Sequence, residues 1–185
     1  MAGGTAARTE LPVTTAVGEA ASIPGAISSP GAVSVAGRAL GVTGLAAVGV
    51  LHLVWAAGSP WPARDADALA DAVVGSASVP GAGPTAAVAA LAIGGAAVTG
   101  GVGGDRPVAT LIRAGAAAAL IARGLVGGVV ATRILRLPAP SARFRRLDRV
   151  VYRPVCLLLG AAVAMGMSGA ARGTKMGPEA HRHGR

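Results

Sequence analysis

The chain has 185 residues, enough for one domain; 52% are hydrophobic, 14% charged and 2% aromatic. Soluble domains carry roughly 25% charged residues, and a soluble core built almost wholly from Ala, Val and Leu would bury little area per side chain, so composition argues against a water-soluble fold. The net charge is +9, but the basic residues flank apolar runs, where they meet anionic lipid headgroups. With no aromatic platform and no recognition motif, nucleic acid is not an expected partner.

Residues 1–36 are rich in Ala, Gly, Ser, Thr and Pro, with Pro12, Pro24 and Pro30 as helix breakers, and are expected to form a disordered tail. Glu10 and Glu19 interrupt it, which is unlike a signal peptide. Residues 37–172 are expected to hold four membrane spans, and residues 173–185 a basic C-terminal tail.

The first span covers residues 39–57, about 28 Å of helix and so about one hydrocarbon core. His52 is its one readily ionisable side chain, and Trp55 and Trp61 lie near its end, at the level favoured by indoles. A loop follows in which residues 65–74, with Asp65, Asp67 and Asp71, form a short interfacial helix. Pro80 and Pro84 lead into the second span, residues 85–102, which is poor in large residues and is expected to pack tightly inside the bundle.

After a tight turn, the third span covers residues 108–131 and contains Arg113 and Arg123. A basic stretch follows, in which Ser141 reads as a helix N-cap. Phe144, Leu147 and Val151 then repeat at helical spacing, as in an amphipathic interfacial helix. Pro154 kinks the junction or starts the fourth span, residues 155–171. The fold class is therefore all-α: a polytopic four-helix transmembrane bundle of the cell membrane, with a disordered N-terminal tail. Arg123 apart, its basic residues divide evenly between the two faces, and the weight that the positive-inside rule gives to residues near the membrane slightly favours a cytoplasmic loop between the third and fourth spans.

Arg123 is the most informative residue, because an arginine near the centre of a span costs about 2.5–3.5 kcal/mol on insertion scales. On a helical projection Leu111, Ile121, Leu125 and Val129 form a bulky stripe suited to lipid. Arg123 lies opposite with Ala116, Ala119 and Gly127, which turns it toward the bundle interior about 12 Å from the following loop. Candidate partners on the same membrane face are His52 and, stacked at a spacing of four, Asp148 and Tyr152. The expected polar cluster is His52, Arg123, Asp148 and Tyr152, with Trp55 at its rim. It is either a register-fixing hydrogen-bond network or a ligand-binding site.

Gly37-x-x-x-Gly41, Gly100-x-x-x-Gly104 and Gly124-x-x-x-Gly128 match a close-packing motif that chance also produces in a glycine-rich chain. His181 and His183 lie in the basic tail, and Cys156, the single cysteine, reads as a small buried apolar residue. No metal site, no cofactor and no catalytic residue is expected.

These residues resemble a known family. His52-Leu-Val-Trp55-Ala-Ala-Gly58 with Trp61-Pro62, Pro80, Arg123-Gly124, Phe144, Leu147-Asp148, Tyr152-x-Pro154-x-Cys156-Leu157 and Gly160 are similar to the domain of unknown function 3995 family, small multi-span bacterial membrane proteins. The resemblance runs over most of residues 40–165 and implies four membrane helices. It places the family's recurring residues on the positions of the polar cluster and implies no activity.

Function is expected to be that of a non-enzymatic accessory, lipid-interacting or stress-related membrane factor. Its partners would be membrane lipids, with a homo-oligomer or a membrane-protein partner possible. One alternative is a small transporter or channel that binds an anion or headgroup at the His/Arg cluster. Another is an intramembrane enzyme, which the absence of paired carboxylates, a thiol pair and a zinc-binding histidine pair disfavours.

Overall fold

A computed structural model describes residues 30–76, 80–134 and 139–173. Most of the expected N-terminal tail (residues 1–29) and nearly all of the basic C-terminal tail (residues 174–185, with His181 and His183) lie outside the described residues. Among those described there are only helices: α1 (Pro30–Ala56), α2 (Ala66–Val73), α3 (Ala82–Gly100), α4 (Pro107–Val126), α5 (Gly128–Ile134), α6 (Ala142–Leu147) and α7 (Arg153–Gly173). One π turn, Asp148–Tyr152, joins α6 to α7 without a break. Four helices are long and apolar enough to cross a membrane: α1, α3, α4 and the continuous α6–π–α7 rod over Ala142–Ser168.

The chain is therefore a four-span helical membrane protein. The α1–α3 and α4–α6 connections, with α2 and α5, lie toward one face, called here the α2 face. The α3–α4 turn lies toward the other, the turn face.

Two expected boundaries move. Pro30 opens α1 instead of ending a tail, because a proline in the first turn has no intrahelical N–H to lose and its φ is preset. The third span does not run to residue 131. It stops at Val126, Gly127 adopts φ +80°, and a separate seven-residue helix begins at Gly128.

The fourth span also differs. The expected N-cap at Ser141 is present, its Oγ accepting from the Phe144 N–H at 3.1 Å. The interfacial helix and the span are nevertheless one rod. Pro154 has no N–H to give Val150, and its ring would crowd that carbonyl in a regular helix. The wider turn just before it, closed by the Arg153 N–H on the Asp148 carbonyl, accommodates the proline without a break.

Close helix approach rests on small residues. At Gly37 a β-carbon would lie 2.9 Å from the Ala162 carbonyl of α7. At Gly49 it would lie 3.2 Å from the Ala89 carbonyl of α3, and at Gly160 3.1 Å from the Ala117 carbonyl of α4. The main packing pairs are α1 with α3, α1 with α7, and α4 with α7. The order in space is thus α3–α1–α7–α4, with Leu45, Ala96, Ala117 and Val163 at the core.

As expected of a span poor in large residues, α3 packs tightly in the bundle and is the most buried of the four spans. It buries one stripe, Thr85, Ala89, Ala92, Ala96 and Thr99, against α1, and leaves Val88 and Leu91 exposed. On α4, Leu111 and Leu125 face outward, as the bulky stripe predicts, but Ile121 of the same stripe packs against Gly160 of α7. The buried row is Ala109, Arg113, Ala117 and Gly124, so Arg123 sits at its edge.

Candidate functional site at the break in the third span

Breaking a helix leaves carbonyls at the end of one segment and N–H groups at the start of the next without intrahelical partners. In a membrane protein such groups must be satisfied internally. At Gly127 the α6–π–α7 rod supplies the partners. Arg153 donates from Nε to the Gly124 carbonyl at 2.8 Å and from Nη2 to the Leu125 carbonyl at 2.6 Å. Asp148 accepts the Gly128 N–H on Oδ2 at 2.9 Å. Its other oxygen, Oδ1, takes Arg123 Nη2 at 2.7 Å in an ion pair. One carboxylate and two arginines thus close both ends of the break.

The local sequence leaves room for nothing larger. A β-carbon at Gly127 would sit 3.0 Å from Asp148 Oδ2, and at Gly128 2.9 Å from Arg123 Nη2. The ring of Phe144, only 3% exposed, lies under Gly128 and helps seal the clamp. Asp148 is 4% exposed, whereas about a third of the Arg123 side chain remains accessible. Arg123 Nη1 is buried and has no hydrogen-bond partner.

The five residues expected to form one cluster fall into three groups. Arg123 and Asp148 meet, as described. Tyr152 turns away to α2, donating its hydroxyl to the Ala72 carbonyl at 3.0 Å, with its ring 6.2 Å from that of Phe144.

His52 and Trp55 form the third group, with ring centroids 4.8 Å apart. The Val48 carbonyl, 2.8 Å from His52 Nδ1, can only accept, so that nitrogen carries a proton. Trp55 Nε1 donates to the Trp61 carbonyl at 2.7 Å. No hydrogen bond or ion pair links this group to Arg123 or Asp148. The expected single cluster is corrected on topology: α1 packs on α3 and on α7, and α4 packs on α7, so His52 and Arg123 stand on helices that are not major neighbours.

The expected depth of Arg123 is also corrected. With α4 ending at Val126, Arg123 lies in the last turn, about 4.5 Å from the helix end. It lies at the α2-face end of its helix, not near the middle of a span.

Two participants were missed in the sequence. Arg153 reads there as one more basic flank, and only its place beside Pro154 hints at an unusual turn. The Gly127-Gly128 pair after an apolar run is a recognisable helix stop. Among the described residues no group of three His, Cys, Asp or Glu side chains is placed to hold a metal ion.

A protein-family model described as "Protein of unknown function (DUF3995)" matches residues 45–163, well over half of the chain. The chain belongs to the DUF3995 family. The part matched to DUF3995 runs from the middle of α1 into α7 and contains the whole clamp, together with His52, Trp55 and Tyr152. Neither a curated protein nor a solved structure matches the chain.

Proposed function

We propose that this DUF3995 member is a non-enzymatic component of the cell membrane that works through contacts with lipids or other membrane proteins, and that its Arg123–Asp148–Arg153 clamp is structural. One observation carries this reading: the carboxylate and both arginines are engaged with each other and with backbone groups of the same chain. An acid or base for chemistry needs a proton it can exchange with a bound reactant. Asp148 has each oxygen committed and almost no exposed surface.

The test uses native mass spectra of the detergent-solubilised protein and of Arg123→Ala, together with their unfolding temperatures. A structural clamp gives a destabilised variant and no small adduct that depends on Arg123. A second reading, a small transporter or channel with an anion at Arg123, is favoured by one atom, the buried and unpartnered Nη1. A small anion retained by the wild type and lost from a stable Arg123→Ala protein would establish that reading and overturn the first.

A further inference from the structure

The turn face carries polar side chains that the clamp does not use. They surround a cavity of about 620 Å³, within the roughly 300–1,000 Å³ typical of small-molecule sites. Its polar lining is Arg38 of α1, Thr99 of α3, Asp105 of the turn, Thr110 and Arg113 of α4, and Ser168 of α7. Its apolar lining includes Ala117, Ala118 and Ile121 of α4 and Val163 and Ala164 of α7.

Polarity is graded with depth. Arg113 is about 9 Å along α4 from its start at the turn, and Ile121 about 21 Å. The charged end, where two arginines outnumber one aspartate, therefore lies toward the headgroups and the apolar end in the hydrocarbon. Thr110, Ala114 and Ala118 follow one another at a spacing of four, line the cavity and are exposed on the outer surface of α4. The cavity is consequently open sideways, to the bilayer.

Arg38, Arg113 and Thr99 can each donate to an anion there, against the one carboxylate of Asp105. Arg113 is 6% exposed, yet its bonds go to neutral carbonyls, from Nε to Val98 at 2.8 Å and from Nη2 to Gly104 at 2.7 Å. Among the described residues the ion pairs are Arg64–Asp65, Arg123–Asp148 and Arg143–Asp71, so neither Arg113 nor Arg38 has a carboxylate within 4.0 Å. Thr99 is 3% exposed and its Oγ1 has no hydrogen-bond partner. A buried cation without a counter-charge is the arrangement an anionic ligand relieves. The unused N–H groups of an arginine fork suit a phosphate.

We infer that this cavity binds one anionic phospholipid from the bilayer, with its phosphate at Arg38 and Arg113 and an acyl chain along the wall from Ala117 to Ile121. This deepens the reading above, on which it rests for a role carried by lipid contacts. A free phosphate would leave the apolar wall unfilled, and a fatty-acid carboxylate is the other anionic amphiphile of the same chemistry.

The experiment is a lipid titration of the full-length protein in mild detergent, followed by native mass spectrometry. The probes are dioleoyl phosphatidylglycerol, dioleoyl phosphatidylcholine, oleate and inorganic phosphate. One phosphatidylglycerol should be retained at least ten-fold more tightly than phosphatidylcholine. Arg38→Gln, on an exposed side chain, should weaken that preference at least five-fold. Arg146→Gln, an exposed site on α6 at the other face, should leave it unchanged.

Arg113→Gln also removes two bonds from the α3–α4 turn, so Thr99→Val serves as the second variant and should weaken retention two-fold or more. Equal retention of phosphatidylcholine, preference for oleate or inorganic phosphate, or equal loss in Arg38→Gln and Arg146→Gln would each overturn the site. Those results leave the non-enzymatic reading standing. Phosphatidylglycerol recovered chemically altered would instead sink that reading while keeping the site.

Discussion

The two faces of this bundle use arginine in opposite ways. On the α2 face Arg123 is neutralised by Asp148, and Arg153 spends its donors on the carbonyls of a broken helix. On the turn face Arg113 is buried more completely, holds two carbonyls and has no carboxylate within ion-pair distance among the described residues. Both arginines of the second kind of contact finish a helix end. Only the α2 face also balances its charge. Burial of an arginine therefore does not reveal its role; what decides is whether the chain itself supplies the counter-ion.

The sharpest way to break the comparison is to remove the counter-ion where it exists. Asp148→Ala strips the Gly128 N–H of its acceptor and leaves Arg123 unpaired. Losing one partner of a buried pair costs about 3–5 kcal/mol, and the partial exposure of Arg123 places the expected loss near the lower end. Unfolding in a denaturing detergent titration should show it. A loss no greater than that of an exposed substitution such as Arg146→Ala would mean that the two faces do not differ in this way.

Gly127→Ala probes the break itself. The residue has φ +80° and ψ 167°, a region that essentially only glycine occupies, and a strained backbone of this kind costs about 1–3 kcal/mol. The added methyl would also press on the Asp148 carboxylate at 3.0 Å. The same titration should register a loss below that of Asp148→Ala. A neutral outcome would show that α4 and α5 can join into the uninterrupted span of residues 108–131 expected from hydropathy.

Arg153→Met keeps the apolar stem and removes two donors from the Gly124 and Leu125 carbonyls. Each hydrogen bond of this type is worth about 1 kcal/mol net, so the loss should be about 2 kcal/mol. Arg153→Lys, which cannot reproduce the fork, should recover less than half of it.

Hydropathy made the four spans legible because a run of apolar residues is a property of each segment alone. The Ser141 N-cap was legible for the same reason, its partner lying three residues away. The pairing of Arg123 with Asp148 was inferable because each stood near the same face, and few acids were present to choose from. What the sequence hid was set between helices. His52 was assigned to the cluster on depth, but depth does not say which helices are neighbours, and α1 and α4 are not major ones. Arg113 stands in the expected third span with no partner assigned to it, although its spacing to Ala109 and Ala117 places it on the buried row of α4. The π turn depends on the backbone's response to Pro154 and to the groups it must reach, and no side-chain periodicity announces it.

The smallest expected effect sharpens the account of how the α2 face is held together. Tyr152 donates to the Ala72 carbonyl at the end of α2, where Asp71 also meets Arg143 at 3.6 Å and the Ser141 N–H reaches the Gly75 carbonyl at 2.9 Å. The Arg143 pair is largely exposed and contributes little. Tyr152→Phe removes only the hydroxyl and keeps the ring against Phe144, so global stability should fall by about 1 kcal/mol or less. The informative readout is local: hydrogen exchange in α2 should speed up several-fold while exchange in α4 and α7 stays unchanged. If exchange rises equally in all three, α2 is part of the clamp's cooperative unit. If α2 alone loosens, the polar residues of this face form two independent devices, one that closes the break and one that docks a lid helix on it.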